Sequence, residues 1–417
     1  MHYYLQCKQC GATFKEGKGV YRCPQCGSKL TVKYSKLPET DNMSDWVDTS
    51  KPGIWKFWDL LPVSDPEKVI SLGEGNTFLH GCDKLAHFGK FAKFWVKDET
   101  KNPTGSFKDR NAAIGVTNAL GFGAQSVAIA SDANAGPAVA AYAAKAGLPC
   151  YVFMPVTTSP QRIAQAITFG ASVVKIRGNG LVNDCIRIVE ELREDFGWHH
   201  LTTAGTVNPY QLEGPKTIVY EIAIDMAGHM PDWIVAPAGG GGLIAGMFTG
   251  LKELSQANSI DHIPKILCVQ SEVCAPIVKA FQEHRSIEQW GKVATTVAVP
   301  IAVPLPSEGE EVLEALKVTK GTTIVVSDQE LLNAQKILAE REGICASPAG
   351  ASSAAGALKA RRQGIISERE SVLAVVTGSG MKDLSTVEVS HLQVPEWAAD
   401  IEIVRHELMS KLERQKL

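Results

Sequence analysis

The chain has 417 residues, of which 45% are hydrophobic and 21% are charged. This length and composition allow a large core in two or three structural units and exclude an intrinsically disordered protein. Its 42 Lys and Arg residues against 45 Asp and Glu residues give a net charge of −3, whereas nucleic-acid binders usually show a basic excess. There is no apolar run near the roughly 20 residues that span a bilayer and no signal-peptide pattern. We therefore expect a cytoplasmic protein that binds neither nucleic acid nor membranes.

Four of the ten cysteines lie near the start of the chain as two Cys-x2-Cys pairs, Cys7 with Cys10 and Cys23 with Cys26. A glycine follows each pair and lets the backbone turn tightly around the sulfur atoms. Four thiolates at this spacing can enclose one Zn²⁺ with no open coordination position. Two disulfides are the alternative, but nothing else indicates an oxidising compartment. We predict that residues 1–36 form a small ribbon around a structural zinc ion.

After residue 36 and a proline-rich linker, short apolar runs alternate with longer segments of helical spacing. This alternation is typical of parallel sheets covered by helices on both faces. The predicted strands are Phe94–Val96, Ser126–Ala130, Cys150–Met154, Ser172–Ile176, Trp233–Ala236, Ile266–Gln270, Thr323–Val326 and Val372–Thr377. The predicted helical segments include Pro137–Ala146, Pro160–Phe169, Val182–Phe196, Gln329–Arg341 and Ser352–Arg361. So many strands favour two α/β domains around a cleft, with ligands at the carboxyl ends of the strands.

A run of glycines follows one predicted strand and opens a helix: Gly239, Gly240, Gly241 and Gly242. Consecutive backbone N–H groups at a helix N-terminus suit a phosphate dianion, so these four residues are candidate phosphate ligands. A flexible turn is the alternative. The run is not a Walker A loop, because no Gly-Lys-Ser/Thr follows, and it lacks an acidic residue at the dinucleotide-binding distance.

A single lysine, Lys108, lies in the segment Asn102–Arg110, just before an alanine-rich helix. A surface lysine at a helix start is the simpler interpretation. A lysine that faces a phosphate site across a cleft is instead suited to bonding an aldehyde, because desolvation lowers its pKa and leaves the amine neutral.

These segments resemble the threonine synthase family. The lysine segment Asn102–Arg110 looks like the pyridoxal-phosphate (PLP) lysine motif of that family, and Ser71–Thr77, Val207–Tyr210, Leu212–Gly214 and Thr377–Asp383 match further landmarks in the same order. A short N-terminal zinc ribbon also occurs in some members. The resemblance spans nearly the whole chain and implies a fold-type-II (tryptophan-synthase β-like) PLP enzyme.

The resemblance assigns four cofactor contacts. Lys108 would bind PLP covalently and later move protons, and Asn134 would donate a hydrogen bond to the phenolic oxygen of the cofactor. Gly239–Gly242 would hold the phosphate, and Thr377 would face the pyridine nitrogen. PLP would supply the electron sink, while the protein would select the bond that breaks.

The fold also implies a division of the chain. We expect residues 37–110 to form a linker and the first part of a large PLP domain, and residues 111–225 to form a smaller α/β domain that carries the asparagine loop. Residues 226–417 would complete the large domain. Members of this fold group are commonly dimeric, so we expect a homodimer.

Several positions depart from the family pattern around the substrate. Threonine synthases usually have Asn-Ser before Val-Asn-Pro and an arginine two residues after the proline, where this chain has Gly205-Thr206 and Gln211. Loss of that arginine removes a bidentate grip on the substrate phosphate. Asp132 and Ala135 replace hydroxyl residues, and Asp132 would act as a second base or favour an amine leaving group. The residues assigned to substrate binding are Ser131, Ala133, Ala135, Thr206 and Gln211.

Two enzymatic hypotheses follow for a small amino-acid substrate. The leading one is a lyase that converts O-phospho-L-homoserine and water to L-threonine and phosphate. The alternative is a β-eliminating or β-replacing enzyme, either an ammonia-lyase or dehydratase of diaminopropionate, serine or threonine, or an enzyme like cysteate synthase. The glycine loop, which resembles the dehydratase version, favours the alternative. A non-enzymatic ribbon adaptor is disfavoured, because Lys108, Asn134 and Thr377 are all present.

Overall fold

The computed structural model describes residues 3–17, 20–38, 40, 42–63, 65–178, 182–382, 384, 399 and 401–414. Two compact units are present, Met1–Asp383 and Leu384–Leu417. Within the described residues, no helix is both long and apolar enough to cross a bilayer.

The strands are short and mostly buried. Their bounds are β1 (Tyr3–Cys7), β2 (Thr13–Phe14), β3 (Leu30–Tyr34), β4 (Leu79–Gly81), β5 (Lys93–Asp98), β6 (Val127–Ala130), β7 (Cys150–Pro155), β8 (Ser172–Ile176), β9 (His199–His200), β10 (Trp233–Pro237), β11 (Lys265–Ser271), β12 (Thr322–Val326) and β13 (Ser371–Val376).

The helices separate most of these strands along the chain. Their bounds are α1 (Asp83–Gly89), α2 (Lys108–Gly121), α3 (Ala135–Ala146), α4 (Pro160–Thr168), α5 (Val182–Leu192), α6 (Lys216–Asp225), α7 (Gly242–Gln256), α8 (Pro276–Gln282), α9 (Gly309–Thr319), α10 (Asp328–Glu342), α11 (Pro348–Arg362) and α12 (Ile401–Arg414). Helix α12 belongs to the second unit, and all the others belong to the first.

Two α/β sheets form the body of the first unit. The large sheet has the order β12-β11-β10-β13-β5-β4, and its neighbours are parallel except for β4 and β5. The small sheet has the order β8-β7-β6-β9 and is parallel throughout. All eight strands predicted from the sequence are present, with ends shifted by at most two residues. The predicted fold class, with two open parallel α/β sheets, is therefore confirmed.

The N-terminal ribbon is a small antiparallel sheet of its own, in the order β2-β1-β3. Strand β1 buries every second residue, Tyr3, Leu5 and Cys7, as expected for a strand with one face on the core. These side chains join a hydrophobic cluster that includes Ile114 of α2 and Ile129 of β6. The ribbon therefore packs on the body of the unit instead of standing apart from it.

Small residues allow the helices to lie close to the large sheet. Helix α11 is rich in alanine, begins after Ser347, whose side chain accepts a hydrogen bond from the amide of Gly350, and has proline in its first turn. A Cβ atom at Gly356 would lie 2.4 Å from a methyl carbon of Val269 in β11, so only glycine fits at this crossing. Helix α10 begins with a capping box between Ser327 and Glu330.

A buried ion cluster positions helix α2. Arg110, in the first turn of this helix, has no exposed side-chain surface and pairs with Glu99 and Glu221 at 2.8 Å each. Lys97 of β5 adds a second cation, 3.1 Å from Glu221. Burial alone would raise the pKa of Glu221, but the Arg110 guanidinium holds it well below its usual range. Because Lys108 lies two residues before Arg110, the cluster also determines the position of Lys108.

Replacing this guanidinium should destabilise the protein strongly. We expect Arg110→Met to lower the free energy of unfolding by about 3–5 kcal/mol, because buried Glu99 loses its cation and buried Glu221 keeps only Lys97. The matched control is Arg187→Ala, which removes an exposed pair with Glu191 in helix α5 and should cost less than about 0.5 kcal/mol. Urea unfolding followed by circular dichroism measures both. Equal effects of the two substitutions would contradict the structural role of Arg110.

Candidate active site

The loops at the carboxyl ends of the two sheets enclose a cavity of about 490 Å³. The predicted site residues that line it are Lys108, Ser131, Asp132, Ala133, Asn134, Ala135, Thr206, Gly239, Gly240, Gly241, Gly242 and Thr377. They come from five separate loops and helix starts, which the parallel strands bring to one edge. A wider groove of about 1030 Å³ runs along the edge strand β4 and contains none of these residues. The smaller cavity is therefore the candidate active site.

Lys108 is the first residue of α2, whereas the sequence predicted it in a turn just before that helix. Its Nζ atom donates a hydrogen bond to Oγ1 of Thr203 at 3.1 Å and lies 4.8 Å from the ring centre of Phe107. Burial lowers the pKa of Lys108 to about 8, although the carboxyl groups of Glu308 and Asp132 oppose the shift. The amine is thus partly neutral near physiological pH, as a nucleophile or base requires.

The loop after β6 is shaped by Ser131. Its Oγ accepts hydrogen bonds from the amides of Ala133 at 3.2 Å and Gly136 at 3.0 Å, which curls the loop at the start of α3. Asn134 directly precedes that helix. The loop thus presents Asp132, Ala133 and Asn134 to the cavity.

A second lysine, Lys382, orients Asn134. Its Nζ atom donates to Oδ1 of Asn134 at 2.9 Å, so the amide nitrogen of Asn134 remains available as a donor on the other side. Burial lowers the pKa of Lys382 to about 8, while Asp109 opposes the shift. Lys382 is not among the site residues predicted from the sequence. It lies in the segment Thr377–Asp383, which matches the family pattern, and this match could have indicated that Lys382 lies near the site.

Asp132 has the electrostatics of a proton-exchanging group. It lines the cavity, and burial raises the pKa of its carboxyl group, while Arg162 and Lys108 oppose that rise. The guanidinium of Arg162 donates to the backbone oxygen of Asp132 at 3.1 Å. A carboxyl group with a raised pKa can both accept and return a proton in this position.

The glycine loop has space for an anion but not for side chains. A Cβ atom at Gly239 would lie 2.3 Å from the backbone oxygen of Pro300, and Gly241 has φ +92°, which disfavours other residues. Among the described residues, no backbone carbonyl accepts a hydrogen bond from the N–H groups of Gly239, Gly240 or Gly241. Open N–H groups at the start of α7 form an anion-binding cradle.

Thr377 is the last of the predicted cofactor contacts that line the cavity. It follows the last residue of β13, is 8% exposed and lines the cavity. Its backbone oxygen accepts a hydrogen bond from the amide of Phe107 at 3.1 Å. The contact joins the β13 loop to the start of α2, so Thr377 and Lys108 approach the same cavity.

Gln211 lies elsewhere, which corrects the position expected for it. Its side chain is fully buried, and its Nε2 atom donates to the backbone oxygen of Thr202 at 3.5 Å. A Cβ atom at Gly115 of α2 would approach the Gln211 side chain to 2.9 Å. Gln211 therefore packs behind the loop that follows β9 and does not line the cavity, because the turn that carries it is pressed against α2.

The four N-terminal cysteines form one cluster, with all sulfur atoms within 4.8 Å of one another. The Cys7 and Cys26 sulfur atoms are 3.4 Å apart and those of Cys10 and Cys23 are 3.6 Å apart, longer than the roughly 2.05 Å of a disulfide. The amide of Cys10 donates to the Cys7 sulfur and lowers the pKa of that thiol to about 6. The donor set fits a tetrahedral zinc ion.

Comparisons with known proteins agree with this geometry. A family model described as pyridoxal-phosphate dependent enzyme matches residues 70–378. The chain is 38% identical to a threonine synthase of Methanosarcina acetivorans, covering 92% of this chain and 93% of that protein. A threonine synthase of Methanocaldococcus jannaschii is 35% identical, with 91% and 92% covered.

A solved structure shares the fold at low identity. It is the selenomethionine-containing holo diaminopropionate ammonia lyase from Escherichia coli, with a TM-score of 0.65 and 18% identity, covering 78% of this chain and 88% of that one. At this identity, the likeness concerns the fold alone.

The lowered pKa of Lys108 can be measured in the unliganded protein. We expect the acetylation rate of Lys108 to rise through a midpoint near pH 8, whereas free lysine reaches its midpoint near pH 10.4. Limited labelling across this pH range, read by peptide mass spectrometry, gives the profile, with Nα-acetyl-lysine as the control. A midpoint equal to that of the free amino acid would contradict the effect of burial.

Proposed function

This chain belongs to the pyridoxal-phosphate-dependent enzymes and to their threonine synthase family, and we propose that it converts O-phospho-L-homoserine and water to L-threonine and phosphate. The chain is a PLP-dependent lyase. The observation that carries the proposal is the Lys108 amine, which has a pKa of about 8 and shares a cavity with an open glycine loop. Support also comes from the threonine synthase relatives, which align over more than nine tenths of this chain.

The residues that line the cavity fit pyridoxal phosphate. Gly239, Gly240, Gly241 and Gly242 would hold its phosphate through their N–H groups, and no described backbone carbonyl accepts a hydrogen bond from the first three. Lys108 would hold its aldehyde carbon, Asn134 would donate to its phenolic oxygen, and Thr377 would face its ring nitrogen. A Cβ atom at Gly239 would collide with the backbone oxygen of Pro300, so only glycine allows the loop to keep this position at the cavity.

Each protein residue has a separate role in the proposed reaction. When bound, PLP withdraws electrons from Cα of the attached amino acid. Lys108 would take the Cα proton and then a Cβ proton, and phosphate would leave from Cγ with the bonding electron pair. Lys108 would then return one proton to Cγ and one to Cα, while water would add its hydroxyl at Cβ and give its other proton to the phosphate. The N–H groups of the loop from Ser131 to Ala135 that are not already hydrogen-bonded would hold the substrate carboxylate, and Thr206, which also lines the cavity, would contact the substrate.

One feature favours a second candidate, elimination of an amine from a diamino acid. Among the described residues that line the cavity, Lys108 is the only lysine or arginine, whereas Asp132 is also present. Since a phosphate leaving group needs cations and an amine leaving group needs a proton, Asp132 would serve an ammonia-lyase as the second acid–base group. Dehydration or β-replacement of serine-type substrates would use the same groups.

Turnover of defined substrates separates these functions. We expect the holoenzyme to form threonine and phosphate in equal amounts from O-phosphohomoserine, measured by mass spectrometry and a phosphate assay. Lys108→Ala should abolish this activity, while Asp132→Asn should change it by less than about threefold, because Lys108 alone moves the protons.

The contrary result is equally specific. The ammonia-lyase function is supported if O-phosphohomoserine is inert and diaminopropionate yields ammonia. The Asp132→Asn variant should then release ammonia about 10²-fold more slowly than the wild type. Serine, threonine, and phosphoserine with sulfite complete the panel. Full activity of Lys108→Ala would exclude both catalytic proposals.

We also propose that Cys7, Cys10, Cys23 and Cys26 bind one structural zinc ion. Elemental analysis of the purified protein should give about one zinc per chain. Cys23→Ser should lose the metal and lower the melting temperature, because zinc binding contributes directly to the stability of such ribbons. Cys345→Ser, outside the cluster, is the control and should keep the metal. A protein that lacks zinc and has a mass lower by four hydrogens would instead contain two disulfides.

A further inference from the structure

One lysine of the ribbon reaches the back of the candidate active site. Lys29 lies three residues after Cys26, and its side chain is only 15% exposed. Its Nζ atom donates to the backbone oxygen of Ser307 at 2.7 Å and to Oε1 of Glu311 at 2.9 Å, and lies 3.7 Å from Oε1 of Glu308. Ser307 itself lines the cavity. The ribbon thus places a positive charge directly behind the cavity wall.

Glu308 is a buried carboxyl group with no part in the proposed reaction. Its side chain has no exposed surface, and its Oε1 atom accepts a hydrogen bond from the amide of Gly205 at 2.7 Å. Its own amide donates to the backbone oxygen of Gly240 at 2.8 Å. Glu308 therefore joins the loop before Thr206 to the glycine loop.

The carboxyl group lies close to the proposed phosphate cradle. A Cβ atom at Gly242 would lie 3.6 Å from Oε2 of Glu308, and one at Gly240 would lie 4.0 Å from it. An ionised carboxylate here would repel a phosphate dianion bound by the loop. Burial raises the pKa of the Glu308 carboxyl group, whereas Lys29 lowers it and so favours the ionised form. The other charged groups near Glu308 among the described residues are Glu311 and Lys108, and Lys29 is the cation that faces it from outside the cavity.

We propose that Lys29 is a positioning residue of the active site, which neutralises Glu308 and so allows the glycine loop to hold the cofactor phosphate. This inference rests on the proposed function, because it takes Gly239–Gly242 as the phosphate site of PLP. It gives the ribbon a second role besides its own stability. The ribbon supplies the counter-charge that the cofactor site needs, although none of the ribbon residues that the structure describes lines the cavity.

The test is the dissociation constant of PLP, measured by absorbance titration of protein from which the cofactor has been removed. We expect Lys29→Met to weaken PLP binding by about tenfold, because the Glu308 carboxylate is left uncompensated beside the phosphate. Lys29→Arg keeps the charge and should bind PLP within about threefold of the wild type. Lys8→Met is the matched control: Lys8 lies on the same ribbon, is 42% exposed and pairs with Glu311 and Glu314.

A double variant separates charge compensation from damage to the ribbon. Lys29→Met combined with Glu308→Gln retains the ribbon substitution but removes the carboxylate charge, so PLP affinity should return to within about twofold of the wild type. Failure of the double variant to recover would overturn the charge argument. Equal PLP affinity of Lys29→Met and Lys8→Met would overturn the role of Lys29. A wild-type protein that does not bind PLP would instead overturn the proposed function.

Discussion

The buried guanidinium of Arg110 is the interaction on which the site geometry depends. It joins the first turn of α2 to Glu99, just after β5, and to Glu221 in α6. A buried charge is tolerated only when it is fully paired, so the chain must hold all three elements in one arrangement. Because Lys108 begins α2, the cluster places its amine at the carboxyl edge of the large sheet.

Burial then sets the chemistry of the cavity. Withdrawal from water favours the neutral form of every ionisable group. It therefore lowers the pKa of both Lys108 and Lys382 to about 8 and raises the pKa of Asp132. The same physical effect thus shifts the pKa values of the two amines and of the carboxyl group in opposite directions, each toward its neutral form. Amines with a pKa of about 8 can exchange protons near neutral pH, whereas exposed lysines would stay charged.

Three side chains in or near the cavity wall bear directly on which substrate the enzyme accepts. Gln211, where the family pattern has a phosphate-binding arginine, is buried behind the wall, and Asp132 faces the cavity. Glu308 adds a second carboxyl group, beside the proposed phosphate site, and Lys29 of the ribbon faces it. The small N-terminal ribbon therefore belongs electrostatically to the site, while its strands pack on the same core as α2 and β6.

The sequence by itself determined the local features of this protein. The eight main strands, the glycine loop, the lysine segment and the cysteine pairs were predictable, because periodicity, spacing and turn chemistry act over a few residues. The edge strands β4 and β9 were not, since two or three residues carry no periodic signal. The assignment of the site residues to roles stays a prediction, as do the domain boundaries.

Only the tertiary structure decided which distant residues meet. Nothing near Lys382 in the chain indicates that it bonds to Asn134, and nothing near Lys29 indicates Glu308, because these pairs are separated by hundreds of residues. The same holds for Gln211, whose burial results from the packing of its turn against Gly115. Contacts of this kind arise when sheets and helices close around a core, and their energetics depend on burial that no local pattern records.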